Sequence, residues 1–585
     1  MGIFLGLPAA AQENSASSTD IQDTIAKPSR SDPLGNSSQY FASLPQETKK
    51  ETKKRNLGAS AMGSPYVPLE SWVYPAFNLL IARGLIDEGI VGIRPWTRMA
   101  CARMLDEIRG KYYQEENDFS REEFRQFQSL VKEFSRELDQ LNGGQNRNLQ
   151  LESVYTRLMG ISGPPLNDAY HFGETLTNDY GRPYEEGFNN STGMSGWASS
   201  GRWIGYVRAE YQHAPAAPEL SDSVRLWMAT IDQTLPVKPA SAPVTTNQMT
   251  LLDAYVGMTA GNWQFSFGQQ STWWGPGEGG GMLLSNNAPP FLAFHVDRVV
   301  PFRLPGFLWH LGPIRMQAFF GQLAGHSYPP EPFFHGEKFS FKPTPNLELG
   351  FTRTAVMGGV GRPLTFASLF NSYFSIGHKE DFAANASPGK RTAGFDFSYR
   401  IPFVRNWLTL YTDALADDDP TPFVTPRRAA YNPGIYMPQI PRIPKLDLRV
   451  EGVYTEIPEK TYVPGNFVYW DTFYKDLYTN KGYLMGNWIG RGGVGVQAWT
   501  RYDLGSRNSI QFEYRHEKVD GLFVPGGGTI NDGGVRMDMW VKPEWNLNVL
   551  VQYEKWSFPI LAAGPQNNVT TSIQFTYSPA PKTSK

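Results

Sequence analysis

The chain has 585 residues but a single cysteine, Cys101, so no intramolecular disulfide forms. A lone Cys inside a helical pattern reads as a small buried apolar residue rather than a nucleophile or metal ligand. No run of about 18 apolar residues occurs, which excludes a transmembrane helix. A membrane is not thereby excluded, because barrel strands alternate lipid-facing and lumen-facing residues. Neither charge is in excess: 54 Lys+Arg stand against 56 Asp+Glu. That leaves no general field for a polyanion, and nucleic acid is not expected as a partner. The eight histidines show no H-E-x-x-H or comparable metal spacing. No G-x-S-x-G, Walker A or dinucleotide fingerprint stands out, so no catalytic residue, metal site or cofactor is assigned. What is plentiful is aromatic residues (14%), Gly (57) and Pro (45), which favour many turns over long helices.

Residues 1–11 read as the remnant of a secretory signal, a short apolar stretch ending in the small residues Ala9 and Ala11, without a charged n-region. Residues 12–64 are rich in Ser, Gln, Lys, Asn and Pro and read as a disordered leader. Residues 65–142 carry a helical period and predict a three-helix bundle. Its first helix runs Pro68 to Ala82 and stops at Gly84; its second is capped by Thr97. Its third places Phe124, Phe127, Val131, Phe134, Leu138 and Leu141 on one stripe.

From about residue 149 the period becomes two. Trp263, Phe265 and Phe267 alternate with polar residues, as do Ala393, Phe395, Phe397 and Tyr399, and Ile510, Phe512 and Tyr514. Aromatics sit towards strand ends, Trp203 with Tyr211 and Trp545 with Tyr553, which suits interfacial girdles. Tight turns at Ala260-Gly261, His310 to Pro313, Ile401 to Arg405, Asp503 to Asn508 and Lys542 to Glu544 alternate with long stretches at 213–249, 322–345, 415–445, 516–532 and 555–568. Short turns on one side and long loops on the other predict an antiparallel outer-membrane β-barrel over residues 149–578, with a short tail at 579–585. At roughly 24 residues per strand and connection, the region holds on the order of 18 strands.

The polar face carries Arg208, Glu210, Asp396, Arg400, Asp447, Arg449, Glu451, Glu513, Arg515, Arg536, Asp538 and Glu554. Charges cost several kcal/mol in hydrocarbon, so this face must line a wet or paired interior. Val569, Thr571, Ile573, Phe575 and Tyr577 form an aromatic-ended closing strand of the kind barrel assembly machinery recognises, although Ser578 to Lys585 trail beyond it. The helical domain and the Pro/Gly-rich inserts are candidate plugs for the lumen.

Several blocks are shared with one family in the same order. They are Tyr66-Val67-Pro68-Leu69-Glu70-Ser71-Trp72, Arg94-Pro95-Trp96-Thr97-Arg98, Gly160-Ile161-Ser162-Gly163-Pro164-Pro165-Leu166, Asn178-Asp179-Tyr180-Gly181-Arg182-Pro183, Trp273-Trp274-Gly275-Pro276-Gly277 and Leu283-Leu284-Ser285-Asn286-Asn287-Ala288-Pro289-Pro290. Over about residues 65–578 the chain resembles the capsule assembly protein Wzi family. The resemblance implies a large outer-membrane barrel with a periplasmic helical bundle. It also implies a lectin that holds capsular or other surface polysaccharide at the cell surface, and no enzyme. The leader is longer than the family leads one to expect.

Trp273 and Trp274 suit a sugar platform, since flat aromatic faces stack on pyranose rings. Ser285, Asn286 and Asn287 offer donors and acceptors for sugar hydroxyls. Equally, Gly275-Pro276-Gly277 sets a sharp inward turn that packs the Trp pair against the wall. Arg182 either pairs with an interior carboxylate or meets an acidic sugar. Asp417-Asp418-Asp419 reads as a solvated turn rather than a Ca²⁺ site, and Glu278 with these aspartates gives only the weakest glycosidase signal. The chain is thus expected to be a monomeric, polysaccharide-binding barrel in outer-membrane lipid. A porin or polysaccharide export channel is the alternative, and a hydrolase a distant third.

Overall fold

The computed structural model describes residues 58, 61–113, 119–239, 241–374, 382–383, 385–404, 407–417, 422–424, 426–457 and 463–580. The expected signal remnant and nearly all of the expected leader lie outside the described residues, as do Asp418, Asp419 and the last five residues of the tail.

Helix α1 (Val73–Ala82) ends at Gly84, whose φ of 83° lies in the left-handed region that a Cβ disfavours. Helix α2 (Arg98–Tyr113) starts at Thr97, whose Oγ1 accepts from the Ala100 N–H at 3.1 Å. The expected third helix is two, α3 (Arg121–Glu133) and α4 (Ser135–Leu141). The break has a local cause. The Arg98 guanidinium takes the Glu133 carbonyl at 2.8 Å, the acceptor a continuous helix would need one turn later, and lies 4.7 Å over the Phe134 ring. The apolar stripe survives the break: Phe124, Phe127, Val131 and Phe134 join Phe77, Trp96 and Leu105 in one core. Cys101 is fully buried there, and burial pushes its thiol pKa up, so it stays a neutral packing residue. The first helix begins at Val73 rather than Pro68, because residues 69–72 form a turn and bend in which the Ser71 N–H bonds the Pro68 carbonyl and the Tyr74 N–H the Ser71 carbonyl.

Eighteen antiparallel strands, from Arg147–Ser162 to Gln566–Tyr577, close into a barrel whose first and last strands pair from Val154↔Tyr577 to Ser162↔Val569. Closure removes every free edge. On the side of the helices the strands turn tightly, at residues 201–202, 261–262, 345–346 and 543–544. On the opposite side run the long connections 163–186, 215–245, 270–291, 358–389 and 455–492. Two stretches expected to be loops contain wall strands instead, Phe333–Thr344 and Ala429–Met437. The first hides its alternation because its inward side is Gly336, Lys338 and Ser340 and its outward side includes His335 and Glu337. The second contains Pro433 and Gly434, and a Cβ on Gly434 would stand 2.3 Å from the Tyr411 ring, so only glycine fits beside it.

The wall's outward face is an exposed apolar belt that includes Val207, Val256, Phe267, Phe294, Phe512 and Val551. Trp203 and Trp545 lie at the helix-side ends of their strands and are also exposed outward. Inside, inserts pack much of the lumen, and a cavity of about 500 Å³ remains between the helices and the wall, lined by Glu70, Glu152, Arg208 and Asp538 among others. Connections 163–186, 270–291 and 455–492 fold inward, and Tyr170, Trp274, Leu284, Phe467, Tyr478 and Trp488 meet wall residues such as Phe319, Phe334 and Leu415 in a buried core.

Candidate functional site: the loop-side vestibule

Most charges on the inner wall are buried, although the Arg536 side chain is 39% exposed. Most are spent on each other or on the inserts. Arg515 pairs with Asp532 and, at 3.2 Å, with Glu554; Glu513 accepts from Arg536 at 3.0 Å; Asp538 accepts from Asn548 at 2.6 Å. Lys338 meets Asp396, Asp447 accepts from the Arg501 N–H at 2.9 Å, and Arg449 lies 3.5 Å from Glu278. Arg400 donates to the carbonyls of Ile81 and Pro345 and so holds the end of α1.

Three wall carboxylates grip the backbone of inserted segments. Glu348 accepts from the N–H groups of Val91 (2.9 Å) and Gly92 (2.8 Å), and Asp413 from that of Met282 (2.7 Å). Glu451 accepts from Glu278 (2.6 Å) and Gly279 (3.1 Å). A carboxylate that collects amide N–H donors is held by charge-assisted bonds, and the buried amides are satisfied at the same time.

The residues singled out for sugar binding lie in this packed interior. Ile93–Arg94 pairs with Trp273–Trp274 as a two-stranded ladder. Trp274 Nε1 donates to Gln317 at 2.6 Å, and the ring sits 5.3 Å from Phe319. Trp273 and Trp274 are both buried, with no ring face open to solvent. Ser285 donates to the Gly486 carbonyl, and Asn287 donates to the same carbonyl and accepts from the Asn178 N–H. The Asn286 carbonyl accepts from the Tyr180 N–H. Arg182 takes the interior-carboxylate option, with Nε 2.9 Å from Glu210 and Nη1 2.7 Å from Asp179, which itself forks onto Arg157 with two bonds of 2.8 Å. Arg208 completes the network by pairing with Glu70 just before α1, tying the helical part to the wall. Asp417 pairs with Lys390 at 3.0 Å.

A larger concavity lies elsewhere. A cavity of about 1250 Å³ opens on the loop side, formed by connections 163–186, 215–245, 323–332, residues 475–476 and residues 561–562. Connection 215–245 carries helix α5 (Asp222–Ile231), capped by Ser221, whose Oγ accepts from the Val224 N–H. Val224, Trp227 and Met228 pack it on Phe172, Phe523 and Phe558. That helix was legible in the spacing of Val224, Trp227, Met228 and Ile231 inside a stretch that otherwise reads as a polar loop. The rim presents Tyr328, 46% exposed and edge-on to Phe473 at 5.3 Å, beside Asp476, Lys475, Gln233 and Asn167. None of Trp273, Trp274, Ser285, Asn286, Asn287 and Arg182 lines it.

The vestibule floor is an ionic relay. His171 Nδ1 lies 2.7 Å from Asp168 and Nε2 2.7 Å from Asp232, and Asp232 also accepts from Arg491 Nη1 at 2.6 Å. Burial opposes a charged ring, but the Asp168 carboxylate and the two hydrogen bonds outweigh it, and the His171 pKa is pushed up to about 9. Burial likewise opposes the Asp232 carboxylate, yet His171 and Arg491 hold its pKa down at about 2. A raised histidine stabilises fully below its unfolded value, and that contribution fades as pH rises through the folded value; a depressed aspartate stabilises above its unfolded value. The floor is therefore tightest between about pH 4 and 6.5 and loses on the order of 3 kcal/mol as pH climbs past 9. Hydrogen exchange of the α5 amides should quicken between pH 7 and 9.5 after correction for intrinsic rates, and His171→Gln should abolish that trend; a pH-independent profile in the wild type would contradict the relay.

A closed wall with a greasy outward belt and a polar, largely packed interior defines a transmembrane β-barrel of the outer-membrane type. Residues 157–571 match the family described as capsule assembly protein Wzi, and the chain belongs to that family. A curated relative from Klebsiella pneumoniae, an uncharacterized 55.8 kDa protein in the cps region, is 30% identical over 169 residues, 28% of this chain and 33% of that protein. The chain thus aligns with only about a third of that relative's length. Among solved structures, the Escherichia coli outer-membrane protein Wzi, described as involved in group 1 capsule assembly and as a carbohydrate-binding β-barrel, superposes with a TM-score of 0.63 at 18% identity. That match covers 89% of this chain and 100% of that one. OccD3 (OpdP) of Pseudomonas aeruginosa reaches a TM-score of 0.39 at 11% identity, covering 74% and 92%.

Proposed function

We propose that the chain is a non-catalytic capsule assembly barrel that holds capsular or other surface polysaccharide in its loop-side vestibule. In this reading the helical bundle stands on the periplasmic side, the barrel is monomeric in outer-membrane lipid, and barrel assembly machinery inserts it. The observation that carries the reading is the pairing of a vestibule of about 1250 Å³ on the loop side with a packed interior core: the cavity has a floor of paired His171, Asp168 and Asp232. Such a cup suits retention of a polymer and not its passage. Family membership supports the capsule, and the E. coli relative supports carbohydrate as ligand class. The rim supplies what sugar recognition needs, an aromatic face on Tyr328 and mixed donors and acceptors on Gln233, Asn167 and Asp476.

The test is binding of fluorescently labelled capsule oligosaccharide from the source cells to detergent-folded protein. Tyr328→Ala should weaken binding by about tenfold, equivalent to roughly 1.4 kcal/mol, and leave heat-modifiable migration unchanged. No binding by the wild type to any surface polymer of the cells would sink the reading.

A further inference from the structure

One helix sits on the wrong side of the wall for a plug. Connection 358–389 carries α6 (Phe366–Phe374), begun by Thr365, whose Oγ1 accepts from the Ser368 N–H at 3.0 Å. It packs against strands Phe333–Thr344 and Leu347–Met357. In the first of these, Phe334 joins the interior core and Lys338 reaches the inward-facing Asp396, so His335 and Glu337 point outward. Glu337 lies opposite Arg353, and His335 opposite Ala355, on the same outward face. The helix covers these residues. His335 Nε2 is 2.7 Å from the Ser372 hydroxyl, its ring stacks on Tyr373 at 4.3 Å, and Arg353 Nη1 donates to the Tyr373 carbonyl at 3.3 Å. His335 is fully buried, and Ala355 nearly so, although both are on the outside of the barrel.

The helix is amphipathic in the reverse sense. Its protein side is hydroxylic, with Ser368 and Ser372 buried. Its far side is a ridge of Phe366 (84% exposed), Phe370 (53%) and Phe374 (48%) at four-residue spacing, the rings 6.4 and 5.0 Å apart in succession. In water this arrangement is upside down: three aromatic rings are exposed while serines are buried. It is the right way up where the surroundings are hydrocarbon, because polar groups then turn towards protein. The two strands the helix covers also carry Phe339 and Phe351, a cross-strand pair exposed on the same outward face as part of the barrel's apolar belt. His335 and Glu337 stand near the loop end of their strand, where the outer leaflet's chains meet its head groups.

We infer that α6 is a lipid-embedded cover: it lies on the outer wall, its Phe366–Phe370–Phe374 ridge takes outer-leaflet acyl chains as partner, and its hydroxyl face shields His335, Glu337 and Arg353 from those chains. This goes beyond polysaccharide binding and does not depend on it. The helix converts a polar patch, unfavourable wherever a charge faces lipid, into an apolar one.

The test uses full-length protein carrying Phe370→Cys labelled with bimane, in phosphatidylcholine–phosphatidylglycerol vesicles; buried Cys101 is replaced by Ala. Lipid carrying a nitroxide high on the acyl chain should quench the label at least threefold more than aqueous iodide does, while a label at Val237→Cys on the vestibule rim should show the opposite order. Iodide quenching of the Phe370 label equal to that at Val237 would overturn the inference, as would protection from both quenchers with a dimer on cross-linking, which would make a second copy the occupant. Heat-modifiable migration of each labelled protein confirms that a folded barrel is being read.

Discussion

Reconstituted into planar bilayers, the wild-type protein should give no stable single-channel steps, and a variant whose residues 463–490 are replaced by a short Gly-Ser linker should conduct in well-resolved ones. The expectation follows from who fills the lumen. Phe467, Val468, Tyr469, Tyr474, Leu477, Tyr478, Leu484, Met485, Trp488 and Ile489, all from that one connection, make up more than a third of the buried interior core, whereas the segment joining α1 to α2 contributes Ile93 alone. Deleting residues 65–142 should therefore leave the barrel closed. A helical bundle acting as the stopper would give the reverse result, with the bundle deletion conducting and the linker variant silent. Sizeable steps from the intact protein would defeat the closed-cup reading altogether. Heat-modifiable migration controls for insertion in each case.

Replacing Arg491 by Met should have the largest effect on the vestibule. Arg491 is completely buried, lies 4.5 Å over Tyr170 and 4.9 Å over Phe523, and donates to Asp232 and to the Gly465 carbonyl. Methionine keeps much of the volume but leaves Asp232 buried with His171 as its only charged partner. Breaking a buried pair from one side costs about 3 kcal/mol or more, chiefly from the stranded charge. Since Asp232 caps the end of α5, the loss should appear locally, as protease cleavage within 215–245 accelerated by roughly a hundredfold, in proportion to that free energy. The double variant Arg491→Met with Asp232→Asn should recover a large part of it, because no charge is then abandoned. Equal cleavage rates in wild type and Arg491→Met would show that the relay does not hold the floor.

How far the sequence announced this molecule depended on what each residue faces. Strands bordered by lipid outside and protein inside were legible, because Ile510, Phe512 and Tyr514 alternate cleanly with polar partners. Strand Phe333–Thr344 was not, because α6 covers an outward histidine and glutamate that break the alternation. The inner charges could be assigned to the interior from cost alone, but not their partners, since Glu451 meets Gly279 across more than a hundred residues of chain. Trp273-Trp274 beside Gly-Pro-Gly fits a platform or a wedge equally well; only the ladder with Ile93–Arg94 and the bond to Gln317 distinguish them. The vestibule was illegible as a site because separate connections each supply a few ordinary residues, with no motif in any of them.

The grip of Glu348, Asp413 and Glu451 on main-chain N–H groups has a consequence for tolerance to change. A clasp that reads only the backbone is indifferent to which side chain the inserted residue carries, so the inserts are free to be rewritten at Val91 or Met282 as long as the replacement fits its surroundings. Proline is the exception, having no N–H to offer. The inner wall thus works as a socket for a peptide bond, and a barrel of this kind can be given a new lining without rebuilding its frame.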